Sequence, residues 1–480
     1  MIKKKMQTEV TEEKKEPQEN KEPKENKMGT MPMNRLLLSM ATPMILSMLV
    51  QAFYNIVDSI FVARIHDVGD GGAEGNAALS ALGMAFPFQM LLIAFGTGTC
   101  VGVNAILSKA LGEKDSKTAQ KAANNGVFLS ICNYILFLVI GVFLAEKLIA
   151  SQKGEGLTLM YGTQYLRIVC IGSIGIYMQF IFERLLQSTG KTVYTMYTQM
   201  TGAIINIILD PILIFGLFGM PELKVAGAAY ATVIGQICAG ILAFILNKKH
   251  NEDVQVDLRG FRPDPHIIGR VYSVGAPSII MQAIGSVMTY SMNRILNSLN
   301  PDSVAVFTVY FKLQSLFFMP LFGLNGGMVP ILAYNYGARK KKRMIRVIVL
   351  SMFYAFCFMA VGFALFELIP ETLLRIFDTG SDSLIVLGVP ALRKIAFHYL
   401  LAWFCIIAGT TFQALGNGVY SLIVSVARQL VVLLPAAFIL AKIGGLDLIW
   451  WCFPIAELMS MTVSALLLFR IYRKVIKPID

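Results

Sequence analysis

The sequence predicts an all-α polytopic membrane protein: twelve transmembrane helices in two parallel six-helix repeats. Three observations lead there. Hydrophobic residues make up 55% of the chain and gather into continuous runs, each of roughly 20 residues or more, the length that crosses a bilayer. Basic residues collect at alternate connections between those runs. Three short stretches of the first half return, in order, in the second. In hydrocarbon every backbone polar group needs an internal partner, so continuous runs of this length must be helices; a barrel would show short alternating segments.

From the N-terminus, residues 1–33 are rich in Lys, Glu, Pro, Gln and Asn, with little to bury, and read as a disordered cytoplasmic tail. No apolar run follows the early lysines closely enough to make a cleaved leader. An N-terminal lobe, 34–250, holds apolar runs near 36–63, 78–107, 122–145, 160–182, 192–217 and 226–247. A cytoplasmic linker, 251–265, carries Arg259 and Arg262. The C-terminal lobe, 266–470, holds runs near 267–297, 304–333, 345–367, 385–411, 420–441 and 447–470, and 471–480 form a cytoplasmic tail.

The formal charge of +12 reports topology rather than nucleic-acid binding. Lysines and arginines cluster at Lys109–Lys121, Lys248–Arg270, Arg339–Arg343 and Arg470–Lys477, whereas the first loop carries Asp67, Asp70 and Glu74. By the positive-inside rule both termini are cytoplasmic, which requires an even number of spans. All seven cysteines fall within predicted spans, without metal-ligand spacing or the pattern of a disulfide framework.

The internal repeat rests on three pairs. Ala41-Thr42-Pro43 is echoed by Gly275-Ala276-Pro277, the stretch from Gly102 to Gly112 by that from Gly327 to Gly337, and Gln187 to Gly190 by Gln413 to Gly416. With six spans per half, both halves insert in the same orientation, as parallel repeats about an axis along the membrane normal. Two lobes rocking about a central cleft give alternating access, which a channel does not need.

The first span, Pro43 to Asp58, resembles the opening helix of the multidrug and toxic compound extrusion (MATE) family. So do the loops at Gly112 and Gly337 and the run Asn206 to Pro211, while Val309 to Gly327 is similar to the MepA-like bacterial branch of that family. The resemblance covers nearly everything after residue 33. It implies a two-lobed, cation-coupled exporter of amphipathic, often cationic drugs at the bacterial plasma (inner) membrane. The charged N-terminal tail is outside the family pattern.

Ionisable groups inside a membrane are costly and mark function. Asp58 lies 23 residues beyond Arg35 and Asp210 19 beyond Lys191, so at 1.5 Å per residue both stand about 30 Å from the cytoplasmic face, in the outer half of the bilayer. Asn206, four residues before Asp210, shares its helix face. Pro211 cannot donate a hydrogen bond, which leaves carbonyl oxygen near the acid. Two carboxylates here would titrate as a coupled pair, and their oxygens also suit Na⁺ as a hard cation; no other cofactor is expected. The resemblance implies that Asp58, Asn206 and Asp210 form the cation site of the N-terminal lobe, supported by Tyr165. Competing readings are an interfacial Asp58 near Arg64, an Asp210 that only flanks a kink, and a packing tyrosine at 165.

Pro43 opens the helical ladder near Ser39 and is a candidate hinge; an ordinary membrane-helix proline is the plain alternative. In the C-terminal lobe Lys312, His398, Arg428 and Glu457 fall inside predicted spans, and His398 with Glu457 is a conceivable second polar site. The repeat offers no acid opposite Asp58, where it reads Met292-Asn293-Arg294. Glu183 and Arg184 read as structural residues near a cytoplasmic helix end.

The rival function is a lipid-linked oligosaccharide flippase of the same superfamily, whose anionic substrate favours Arg and Lys in the cavity. Enzyme chemistry is disfavoured because no zincin, nucleophile-elbow or Walker-A pattern occurs. Small drug-like cations and the bilayer are the expected partners, and one chain encloses the cavity, so a monomer suffices.

Overall fold

The computed structural model describes residues 26–63, 73–151, 155–300, 302–376 and 382–479. Among them there is no strand. Ten helices are long and apolar enough to cross a membrane, and counting two bent pairs as one span each makes twelve.

After a short α1 (Lys27–Thr30), the first half runs α2 (Met33–Ala63), α3 (Ala73–Gly112), α4 (Ser116–Phe143), a short α5 (Ala145–Ser151), the pair α6 (Gly156–Ile171) and α7 (Ile174–Ser188), α8 (Thr192–Phe215) and α9 (Val225–His250). The second runs α10 (Pro265–Leu299), α11 (Asp302–Gly337), α12 (Lys341–Leu368), a short α13 (Pro370–Arg375), the pair α14 (Asp382–Ala396) and α15 (Tyr399–Ala414), α16 (Gly418–Val426), α17 (Leu434–Ile449) and α18 (Cys452–Ile471). A π-helical stretch, Ala427–Leu433, joins α16 to α17. The bends fall at matching places, 42° between α6 and α7 and 53° between α14 and α15. Val349, Phe353, Phe356 and Val361 of α12 are all exposed, as expected where lipid rather than water is the solvent.

The repeat read from sequence returns as repeated hydrogen bonding. After α3 the amides of Lys114 and Asp115 donate back to Leu111 O (3.2 Å) and Ala110 O (3.0 Å); after α11 those of Arg339 and Lys340 donate to Tyr336 O (3.2 Å) and Asn335 O (2.9 Å). Lys114 and Arg339 both sit at positive φ, 58° and 54°, closing each helix with a left-handed residue. Gly190 and Gly416 close α7 and α15 in the same way, at φ 82° and 81°. Thr195 Oγ1 donates to Glu183 O (3.4 Å), and at the matching offset Ser421 Oγ donates to Gly409 O (2.7 Å).

The halves meet where α2 crosses α11 and α3 crosses α10, and glycine makes both crossings possible. A Cβ at Gly275 would stand 2.8 Å from Gly98 O, and one at Gly323 only 2.6 Å from the Ile45 backbone. A Cβ at Gly102 would overlap the Val271 carbonyl, and one at Gly327 would stand 2.8 Å from Ala41 N. Nearest the basic loops the contact is reciprocal: Gly112 lies on the carbonyl of Tyr334, and Gly337 on that of Lys109. Small residues let membrane helices approach to backbone contact. The halves are therefore sealed at the basic-loop end, while Phe53 of α2 and Val287 and Tyr290 of α10, further along, are exposed.

Segments that composition marks as tail and linker are partly packed. Within the expected tail 1–33, residues 26–33 carry α1, and Met28 and Met33 are buried; residues 1–25 lie outside the described residues. The linker 251–265 lies along α4: Asn124 Nδ2 donates to Asp257 O (2.6 Å), and the Asp264 amide donates to Asn125 Oδ1 (3.0 Å). Asp264 also caps α10 and meets Lys121 Nζ at 3.1 Å. That ammonium, first, and the helix amides hold its carboxyl below the ordinary range. In the C-terminal tail Ile476 is buried, and Lys477 O accepts from Lys341 Nζ (2.8 Å).

Replacing Gly102 with Val should lower the stability of the sealed form by roughly 1–3 kcal/mol, the cost of overpacking a close contact. Gly83→Val is the control, because a Cβ there meets nothing within 4 Å. Thermal unfolding in detergent should show a lower midpoint for the first and none for the second.

Candidate functional site

Among the described residues, buried acids of the first half fall on α7 and α8, beside amide and hydroxyl groups of α8 and α9. Asp210 is fully buried and Asn206, one turn earlier on α8, is 3% exposed. Oriented to satisfy both neighbours, the Asn206 amide donates from Nδ2 to Asp210 Oδ2 (2.7 Å), and its Oδ1 accepts from the amide (3.0 Å) and hydroxyl (3.2 Å) of Thr232 on α9. That orientation is assigned from its partners, as amide oxygens and nitrogens always are. Carboxylate, amide and hydroxyl oxygens thus meet between α8 and α9, with Pro211 beside them. The set suits a proton or a hard cation, which takes oxygen ligands.

Tyr165, on α6, is buried in one apolar cluster with Ile214, Val225, Ala228 and Ala229 of α8 and α9, and its hydroxyl donates to Gln89 Oε1 (3.4 Å). Asp58 falls on α2, but its side chain lies outside the described residues, as does Arg64. Pro43 lies inside α2, next to Thr42, Ser39, Leu38, Arg35 and Asn34, and these residues line a cavity of about 550 Å³.

Glu183, which the sequence presents as a structural residue, is a second buried acid of this half. It is 2% exposed on α7. Oε1 accepts from Gln179 Nε2 (2.9 Å) and Thr198 Oγ1 (2.7 Å), and Oε2 from Gln199 Nε2 (2.9 Å). A carboxylate held inside a membrane lobe by three neutral donors is an acid built into the site. Its neighbour Arg184 turns instead to Gln187 Oε1 (2.6 Å). The sequence signal available was the spacing of Gln179 from Glu183, one helical turn, with Thr195, Thr198 and Gln199 alternating along the next span.

In the second half the four expected residues do not form one cluster. Glu457, on α18, is buried and pairs with Arg428 of the π-helical stretch, Nη1 to Oε2 at 3.4 Å. His398 lies at the break between α14 and α15. Its Nδ1 contacts Ile395 O (2.7 Å), and its Nε2 contacts Tyr310 Oη and Gln314 Nε2, both at 3.4 Å. With Nδ1 donating to the carbonyl, the neutral ring presents Nε2 as the acceptor. His398 and Glu457 share Phe453, one turn before Glu457 and 6.3 Å from the imidazole centre, rather than a hydrogen bond. Lys312 is exposed on α11, whereas Tyr310 and Leu313 are buried, so it faces away from the pair. Among the described residues no group of three His, Cys, Asp or Glu side chains could hold a metal ion.

Comparison with known proteins gives consistent matches. The family model MatE matches residues 43–212 and 277–439. The multidrug export protein MepA of Staphylococcus haemolyticus is 27% identical over 433 residues, 90% of this chain and 91% of that protein. MepA of Staphylococcus aureus is 24% identical over 440 residues, 91% of this chain and 94% of its own. Among solved structures, the outward-facing conformation of a multidrug resistance MATE family transporter of the MOP superfamily superposes with a TM-score of 0.86 at 25% identity, covering 95% of this chain and 99% of the other. A MOP superfamily transporter from Pyrococcus furiosus, described by a binding pocket of reverse polarity that suggests a different function, gives 0.85 at 25% identity over the same shares.

If the Arg428–Glu457 pair is structural, Arg428→Met strands a buried carboxylate and should cost roughly 3 kcal/mol, and adding Glu457→Met should recover most of it. Thermal unfolding of the two single variants and the double variant measures the coupling.

Proposed function

The chain belongs to the MatE family, and on that premise we propose that it is a cation-coupled antiporter that exports amphipathic, often cationic drugs across the bacterial plasma membrane by alternating access. The lobes are residues 34–250 and 266–470, with both termini and the basic loops in the cytoplasm. One chain suffices. The observation that carries the coupling is the buried Asn206–Asp210–Thr232 set in the N-terminal lobe. The multidrug export by which the MepA relatives are named supports the substrate class.

The mechanism follows from charge in a low-dielectric lobe. Asp210, together with Asp58 of α2, binds H⁺ or Na⁺ arriving from outside, since a hard cation takes oxygen ligands. Glu183 is a third acid in the same lobe and a natural counter-charge for a cationic substrate. An ion and a cationic drug compete for the same negative charge, so occupancy by one weakens the other. That reciprocity is what exchange requires. Neutralising the acids changes the charge within the lobe, and Pro43 lets α2 bend, narrowing the N-terminal lobe and displacing substrate outward. In the C-terminal lobe Arg428 is held by Glu457, which favours cationic over anionic cargo and so stands against the flippase.

Efflux of a fluorescent cationic dye from proteoliposomes, driven by imposed pH or Na⁺ gradients, tests the proposal. Asp58→Asn and Asp210→Asn should each reduce gradient-driven efflux more than tenfold, and Glu183→Gln should do so for cationic but not neutral substrates. Full transport in both aspartate variants would move coupling to the other lobe. Pro43→Ala should slow turnover at unchanged expression, and an unchanged rate would remove the hinge.

A further inference from the structure

The short helix α1 and its flanks touch both halves of the molecule at the sealed end. On the first-half side, Asn26 Nδ2 donates to Thr189 O (3.2 Å) and to Asp253 Oδ2 (3.1 Å), and the stem of Lys27 lies over Gly190, where an added Cβ would stand 3.0 Å from Lys27 Cε. On the second-half side, Arg343 Nη2 donates to Met28 O (3.0 Å) and Met31 O (2.8 Å), and Nε donates to Asn335 Oδ1 (3.0 Å). Asn335 Nδ2 also donates to Met28 O (3.1 Å), and Lys340 Nζ to Gly29 O (3.0 Å). The Met28 side chain is fully buried, in the cluster that holds Leu332, Met344 and Val347. Just beyond, Tyr354 Oη of α12 donates to Asn34 Oδ1 at 2.5 Å.

We propose that residues 26–31 are a strap that latches the cytoplasmic seam shut and must let go of the second lobe each time the transporter opens inward. The argument is one of connectivity and rests on the alternating-access reading above. Opening the seam separates Thr189 and Asp253 from Asn335 and Arg343. A segment fastened to both, and continuous with α2, cannot follow both lobes. The bonds that open are those of Arg343, Lys340 and Asn335 to the strap carbonyls, since α2 and Asn26 belong to the first lobe. Those from Arg343 and Lys340 are charge-assisted bonds to backbone oxygen, strong when dry and readily exchanged for water. Their loss exposes Met28, so the latch is cooperative: the hydrogen bonds and the buried methionine release together.

The test reads accessibility and needs no transport, so it succeeds or fails separately from the antiporter proposal. In protein whose seven native cysteines are replaced, Met40→Cys, fully buried in the seam cluster, is modified in inside-out vesicles by a membrane-impermeant maleimide. Lys340→Ala and Arg343→Ala should each raise the modification rate about fivefold, as expected for removing a hydrogen bond worth about 1 kcal/mol from the closed state only. A reversible thiosulfonate cross-link between Gly29→Cys and Lys340→Cys should suppress modification below that of the uncross-linked protein and release it on reduction. Equal rates in all variants would overturn the latch. A faster rate in Arg343→Ala alone, accompanied by a lower melting temperature, would also overturn it, because that marks general loosening rather than a latch.

Discussion

Backbone-to-backbone packing across the seam is the contact on which the other features depend. Gly98, Gly102 and Gly112 of α3 and Gly323, Gly327 and Gly337 of α11 bring four long helices within reach of one another's carbonyls. In a bilayer no hydrophobic force draws helices together, so close packing of this kind is what holds two lobes in one state. The contact is also sharply defined. A glycine seated on a carbonyl is either seated or apart, which suits a protein that needs two discrete states. Where the seam lies decides which end of the molecule is shut, and so which end the carboxylates of α7 and α8 face.

On this near-symmetric scaffold the chemistry is one-sided. The helix-closing turns, the two bent spans and the hydroxyl bridging Thr195 to Glu183 and Ser421 to Gly409 recur in both halves. The acids do not: Glu183 has a glycine, Gly409, as its counterpart, and at the same offset Asn206 and Asp210 correspond to Val432 and Ala436. The second half carries its own polar groups elsewhere, and it neutralises Glu457 with Arg428 internally. The two lobes thus share a backbone plan and differ in where their buried acids stand.

Much of this was legible in the sequence because bilayer physics is coarse. Runs of apolar residues can only be helices, and a repeated turn such as Gln187 to Gly190 carries its own geometry. Asp210 and Asn206 stood out because a carboxylate and an amide one turn apart in an apolar run have few bland explanations. Glu183 was passed over because an Arg follows it and suggested a solvated helix end; the donors that enclose it come from α8, a separate span that spacing alone does not aim. His398 and Glu457 looked like partners, yet Arg428 took the carboxylate, since the π-helical stretch rotates that side chain toward α18. The strap was misread for a related reason: Lys, Glu, Asn and Pro dominate residues 1–33, and one buried methionine among them leaves no compositional trace.

The seam's uncharged make-up has an electrical consequence. Glycine, alanine and backbone carbonyls carry no net charge, and Lys109, stacked 4.9 Å over Tyr336, stands at the membrane's edge. Parting or sealing these helices therefore moves almost no charge through the transmembrane field, which does about 2.3 kcal/mol of work per elementary charge per 100 mV. The membrane voltage thus has little purchase on the seam contact itself. It acts on the charged side chains within the spans, Lys312 of α11 among them, and, on the proposed cycle, on the ion or drug that is exchanged.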